Sequence, residues 1–103
     1  MKVYKLLRIK NGKLYPLFIN RNVETPIGIW LEAECIPTKG FAIRQGYHCC
    51  LAPIAPHLKM ELANGEKRLW VECEGENCEE YARPESQGGK WVLCQRLKLI
   101  RVL

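Results

Sequence analysis

Apolar residues recur at every second position along three stretches of this chain, and a period of two commits them to strands with one buried face. In Gly28 to Cys35, Ile29, Leu31, Ala33 and Cys35 fall on one side and Trp30, Glu32 and Glu34 on the other. In Arg68 to Glu74, Leu69, Val71 and Cys73 face one way and Trp70 the other. In Trp91 to Val102, Trp91, Leu93, Leu97 and Leu99 share a parity that Gln95 breaks, so the segment reads as one long strand or two bent ones. Val3 to Ile9 is a further strand, and Asn11-Gly12 after it is a strong hairpin signal. Leu14 to Ile19 is the returning strand, with Pro16 placing it near an edge or bulge. Phe41-Ala42-Ile43 and Tyr47 to Cys50 read as shorter extended pieces.

One helix is predicted, over Pro53 to Ala63. Pro56 is tolerated in its first turn, and Asn64-Gly65 serves as a left-handed cap. Residues 20–27, Gly75-Glu76-Asn77 and Pro84 to Gly89 read as loops or turns. The expected fold is α+β: one domain over residues 1–103, a curved antiparallel sheet of about six to seven short strands, and one short helix.

The residue inventory removes several chemistries. The chain has no aspartate, one serine, Ser86, and two threonines, Thr25 and Thr38. A Ser-His-Asp triad, an aspartate-held magnesium site and an EF-hand loop are excluded. Charged residues interrupt every apolar run near Met1, so no signal-peptide core is expected, and no run approaches a membrane span. The expected location is the cytoplasm. There the six cysteines are expected as core thiols or metal ligands rather than a disulfide framework.

Cys73 and Cys78 form a Cys-x4-Cys pair across Glu-Gly-Glu-Asn. His48, Cys49 and Cys50 form a second local group, with Cys35 and His57 in reserve and Cys94 a more distant choice. A structural zinc held by Cys49, Cys50, Cys73 and Cys78 would join the two segments. The alternative is that these thiols are small buried hydrophobes. No Cys-x-x-Cys occurs, so a thioredoxin-type mechanism lacks its motif. His48 and His57 are the only histidines, and Glu61 lies one helical turn beyond His57. Either histidine is a candidate general base. The Glu32/Glu34 and Glu72/Glu74 pairs fit a hard cation or a wet strand face.

Net charge is +5, unevenly placed. Residues 1–23 and 86–103 carry bases without acids, whereas residues 72–85 hold six glutamates against Arg83. Terminal strands lying side by side would form one positive face able to attract nucleic acid or an acidic partner. Trp30 and Trp70 sit opposite their strands' aliphatic residues, which makes them candidates for a contact patch.

Lys13-Leu14-Tyr15-Pro16-Leu17-Phe18, Ile27 to Glu34, Arg44 to His48, Pro53 to His57, Leu69 to Glu72, Trp91-Val92 and Ile100 to Leu103 together resemble an uncharacterised family of small proteins of phages and mobile elements of gut bacteria. The similarity runs in order through most of the chain. The cysteines at 49, 50, 73 and 78 depart from the family pattern, so a zinc site would belong to this branch alone. The family has no assigned activity; small size, absent catalytic motifs and split charge lead to the expectation of a non-enzymatic phage-type binding protein of the anti-CRISPR kind, an inhibitor of a host defence nuclease or its ribonucleoprotein complex. In that reading Glu74, Glu76, Glu79 and Glu80 stand in for phosphate and Trp30 and Trp70 complete the contact. The alternatives are an ADP-ribosyltransferase-like enzyme using His48 or His57 with a glutamate, and a nucleic-acid-binding module on basic terminal strands.

Overall fold

The computed structural model describes residues 1–17, 22–33 and 46–103. Its strands are β1 (Lys2–Lys10), β2 (Lys13–Tyr15), β3 (Trp30–Glu32), β4 (Tyr47–Cys49), β5 (Lys67–Ala82) and β6 (Lys90–Val102). All pair antiparallel in one sheet of order β2-β1-β5-β6-β3, and β4 joins β6 beside β3. β6 gives Val92 to Cys94 to β4 and Arg96 to Lys98 to β3 along the same edge. The sheet then curls until Cys50, just past β4, meets Tyr4 of β1. Two backbone bonds close that seam, Tyr4 N–H to Cys50 O at 2.8 Å and Cys50 N–H to Tyr4 O at 2.7 Å.

The concave face holds the core: Val3, Leu7, Leu14, Cys49, Val71, Cys73, Val92, Cys94, Leu97 and Leu99. Full burial of each aliphatic side chain contributes about 1.5–3 kcal/mol. Three of the ten are cysteines, small enough to let the strongly bent β5–β6 ribbon close on itself. The bend is visible in parity. Inward residues of β5 run Val71, Cys73, Gly75 and then Cys78; those of β6 run Leu99, Leu97 and then Cys94, Val92. Both strands switch faces at the same level, where Asn77 adopts a left-handed φ of 53°. Asparagine tolerates that conformation better than most residues.

The fold is mainly β, which corrects the α+β expectation. Among the described residues the only helical piece is a 3-10 turn at Glu85–Gln87. Pro53 to Ala63 forms no helix. Its end pairs back onto the start of β5: Arg68 N–H donates to Met60 O, Leu62 N–H to Glu66 O, and Glu61 bridges Lys67. Asn64-Gly65, with Gly65 at φ 87°, is therefore a hairpin turn and not a helix cap. A segment this short is also a marginal helix on its own, because few hydrogen bonds offset the cost of nucleation. The turn predicted at Gly75-Glu76-Asn77 is likewise absorbed into β5, which runs unbroken for 16 residues. The Asn11-Gly12 hairpin is as predicted, with both residues at positive φ and Lys10 opposite Lys13. Phe41-Ala42-Ile43, Cys35 and the end of the segment predicted for β2 lie outside the described residues.

Candidate interaction surface

Strand order decides what the charge blocks do. β5, with its glutamates, lies between basic β1 and basic β6, so the two basic strands form no joint positive face. Glu72 is met by Lys2 Nζ at 3.7 Å and by Arg101, whose Nε donates to Glu72 Oε2 at 3.4 Å. Glu74 accepts from the Met1 ammonium at 2.7 Å, and this bond raises the pKa of that amine. Arg96 bridges two strands, donating to Glu76 Oε1 at 2.9 Å and Glu32 Oε1 at 2.6 Å. Exposed pairs like these contribute a few tenths to about 1 kcal/mol each. Their larger effect is on the field, since they neutralise Glu72, Glu74 and Glu76, three of the six glutamates in residues 72–85. Of the remaining predicted contact acids, Glu79 accepts from Tyr81 Oη at 2.8 Å, and Glu80 is exposed.

Trp30 is half-buried on β3, with the Arg96 guanidinium 4.8 Å from its ring centre and Lys98 Nζ at 6.0 Å. Trp70 is half-buried on β5, and its carbonyl accepts from Leu103 N–H at 2.9 Å. Around the C-terminal end of β6 lies a group the tryptophans only border. Glu72 pairs with Arg101 and Cys73 with Leu99, so Ile100 is an extra residue in β6, bulged out of the ladder and exposed. Ile27 bridges Leu99 from the other side, and Gly28 at φ 83° turns the chain into β3. Ile27 is 50% exposed, Ile29 55% and Leu103 51%, with Val102 also in water. The sequence hid this group because each residue alternates within or flanks a strand whose other face is buried.

His48 lies elsewhere, on the outer face of β4. Its ring centre is 4.3 Å from that of Trp91, which also contacts Tyr81 at 5.3 Å and carries the Arg83 guanidinium 4.2 Å from its ring centre. Burial, then Lys5 and Arg83, lowers the His48 pKa to about 4. The charged groups acting on His48 are cations, whereas the enzyme reading requires a glutamate beside it. His57 is exposed, on a segment with no helix to bring Glu61 one turn away.

Of the four predicted zinc ligands, Cys49 and Cys78 both meet Cys94 in the core, whereas Cys50 lies apart. Cys49, Cys73 and Cys78 belong to the core or its margin, whereas Cys50 lines an outer cleft of about 410 Å³ with Leu51, Ala52, Ile54, Glu85, Gly88, Gly89 and Lys90. Among the described residues no group of three or more His, Cys or Glu side chains is arranged to hold a metal ion. Cys94, set apart in the sequence, is the thiol that Cys78 meets, with Sγ atoms 2.7 Å apart. Two sulfurs on one tetrahedral zinc stand about 3.8 Å apart, given bonds of about 2.3 Å. The shorter approach is a thiol pair.

Sequence reasoning also missed a shielded charge cluster. Arg8 and Arg68 are directly opposed on β1 and β5, and both are nearly buried. The Glu66 carboxylate serves both, at 3.9 Å from Arg8 Nη1 and 3.5 Å from Arg68 Nε. Arg8 also donates to Pro16 O and Asn22 Oδ1, and Arg68 to Lys59 O, which fastens the irregular segments to the sheet.

Among the described residues, no helix is long and apolar enough to cross a membrane. Compared as a whole, the chain matches no family model, no curated protein and no solved structure.

Proposed function

We propose that this chain is a non-enzymatic binding protein that docks a macromolecular partner through the outward apolar group of Ile27, Ile29, Ile100 and Leu103, with Trp30, Arg96 and Arg101 at its border. The observation that carries the reading is the bulge that turns Ile100 outward beside Ile27, in a patch left in water. An apolar centre bordered by tryptophan and arginine is the composition of an interface core. A bulge that turns an isoleucine into water fits a contact role. The phosphate-mimic route to the same function is weaker, because Glu74 and Glu76 are neutralised by their neighbours. The partner expected from small size, absent catalytic motifs and split charge, a host defence nuclease complex, is the first to test.

In the test, purified effector complexes are mixed with the parent chain and with Ile29→Asp and Ile100→Asp. Complex formation is followed by size-exclusion chromatography and nuclease activity in parallel. The reading expects a complex with the parent that both variants lose while keeping the parent's unfolding midpoint. Binding unchanged in both variants, or binding to bare nucleic acid that fades steeply with salt, overturns it.

A further inference from the structure

We propose that Cys78 and Cys94 form a reversible oxidation site, a cross-strand thiol pair that a peroxide converts into a disulfide locking β5 to β6. The two residues are directly opposed in the β5–β6 register. Directly opposed antiparallel residues have Cα atoms about 4.5–5.5 Å apart, within the roughly 4.4–6.8 Å that disulfides span. The sulfurs are already 2.7 Å apart, so bonding needs a further approach of about 0.7 Å and no strand movement.

The space both sulfurs occupy exists because residue 75 has no side chain. A Cβ there would stand 2.7 Å from Cys94 Sγ and 2.9 Å from Cys78 Sγ. Gly75 thus makes a pocket in which the two thiols are held together. Access is asymmetric: Cys78 is half-buried at the margin and Cys94 is fully buried. Cys78 therefore meets the oxidant and Cys94 resolves the product. Cys73 Sγ is turned toward Val71 O at 3.4 Å, whereas Cys49, with its Sγ 3.6 Å from Tyr47 O, also hydrogen-bonds the Cys94 thiol and is the competing partner that the peptide map distinguishes.

In the first step the Cys78 sulfur attacks one peroxide oxygen and the O–O bond breaks. Cys78 becomes a sulfenic acid, and the other oxygen leaves as water with the thiol proton. In the second step the Cys94 sulfur attacks the Cys78 sulfur. The S–O bond breaks and a second water leaves, carrying the Cys94 proton. The two thiols together lose two electrons and two protons, and peroxide is reduced to two waters. A dithiol reductant reverses the bond by exchange. Burial, then the Cys94 thiol, push Cys78 up to about 12, so the reaction is slow and stoichiometric, as suits a clip rather than a catalytic thiol.

The test treats the reduced full chain with hydrogen peroxide, blocks remaining thiols, and maps peptides by mass spectrometry. The expected product is a single Cys78–Cys94 bridge, two hydrogens lighter, with a melting temperature roughly 10 °C higher that returns to the starting value in dithiothreitol. Cys78→Ser and Cys94→Ser each abolish the shift, and Cys50→Ser leaves it. The peptide map of the parent chain needs no variant to fold. A bridge to any other cysteine, Cys78 held as sulfenic or sulfinic acid while Cys94 still alkylates, or no modification under excess peroxide overturns the proposal.

Discussion

Replacing Gly75 with alanine is the most direct probe of how this core closes. Gly75 is buried in β5, and its φ lies outside the left-handed region, so an alanine is forbidden there by space and not by backbone conformation. The added Cβ would stand under 3.0 Å from two sulfurs and 3.4 Å from Cys94 Cβ. Both sulfurs sit one bond from their own Cβ atoms on paired strands, so neither can move aside without repacking. Overpacking of this kind costs about 1–3 kcal/mol. At about 2 kcal/mol, a domain of this size loses roughly 8–16 °C in melting temperature. The assay is urea unfolding of the fully reduced protein followed by far-UV circular dichroism, with Gly75→Ala, Cys94→Ala and the double variant compared. Removing the nearer sulfur relieves the clash, so the double variant should exceed the sum of the singles in stability by at least about 1 kcal/mol. A Gly75→Ala midpoint equal to the parent's, or single effects that merely add, would refute the packing argument.

Glu66→Gln leaves the opposed, nearly buried Arg8 and Arg68 without their shared anion, and should cost about 3 kcal/mol by urea unfolding. Trp91→Ala removes the ring on which His48, Tyr81 and Arg83 rest, and should cost about 2–3 kcal/mol in the same assay. His48 takes up its proton near pH 4 when folded and near 6.5 when unfolded, so the unfolded chain binds more protons between those values. Its contribution is complete above pH 6.5 and is lost as pH falls toward 4. His48→Phe, which keeps a ring against Trp91, should flatten the dependence of the unfolding midpoint on pH in that window.

Local signals were legible where chemistry and neighbours agreed. Asn11-Gly12 lies between two apolar runs, and its left-handed residues make the hairpin that the dipeptide predicts. Asn64-Gly65 has the same chemistry, but a left-handed residue serves a helix cap and a hairpin turn equally. The choice fell to Lys67 pairing back to Glu61, which no local pattern records. Gln95, the break in the parity of the last strand, marked a real event, since β6 changes face there in step with β5. The charge blocks were plain in the sequence, but their mutual cancellation depends on β5 lying between strands distant from it along the chain. The Cys78–Cys94 pair was within reach. Counting back from the Gly88-Gly89 tip with constant register, Ala82 opposite Lys90, brings Cys78 opposite Cys94. Nothing in the sequence marks Arg8 and Arg68 as shielded, because the segments that cover them have no periodicity to read.

The place of β1 in the sheet sets a timetable for synthesis. Lys2 pairs with Glu74 and Ile9 with Lys67, so β1 leaves the ribosome about 60 residues before the strand it needs. At synthesis rates of about 5–20 residues per second that interval is roughly 3–12 s. During it the β1–β2 hairpin has one edge unmatched and its apolar residues uncovered. The β5–β6 ribbon, closed by a short loop, can zip at once on emerging and then capture the waiting hairpin. A nascent chain of this design is most vulnerable to proteases and to sticky neighbours in its first half, and escapes them in a single late docking event.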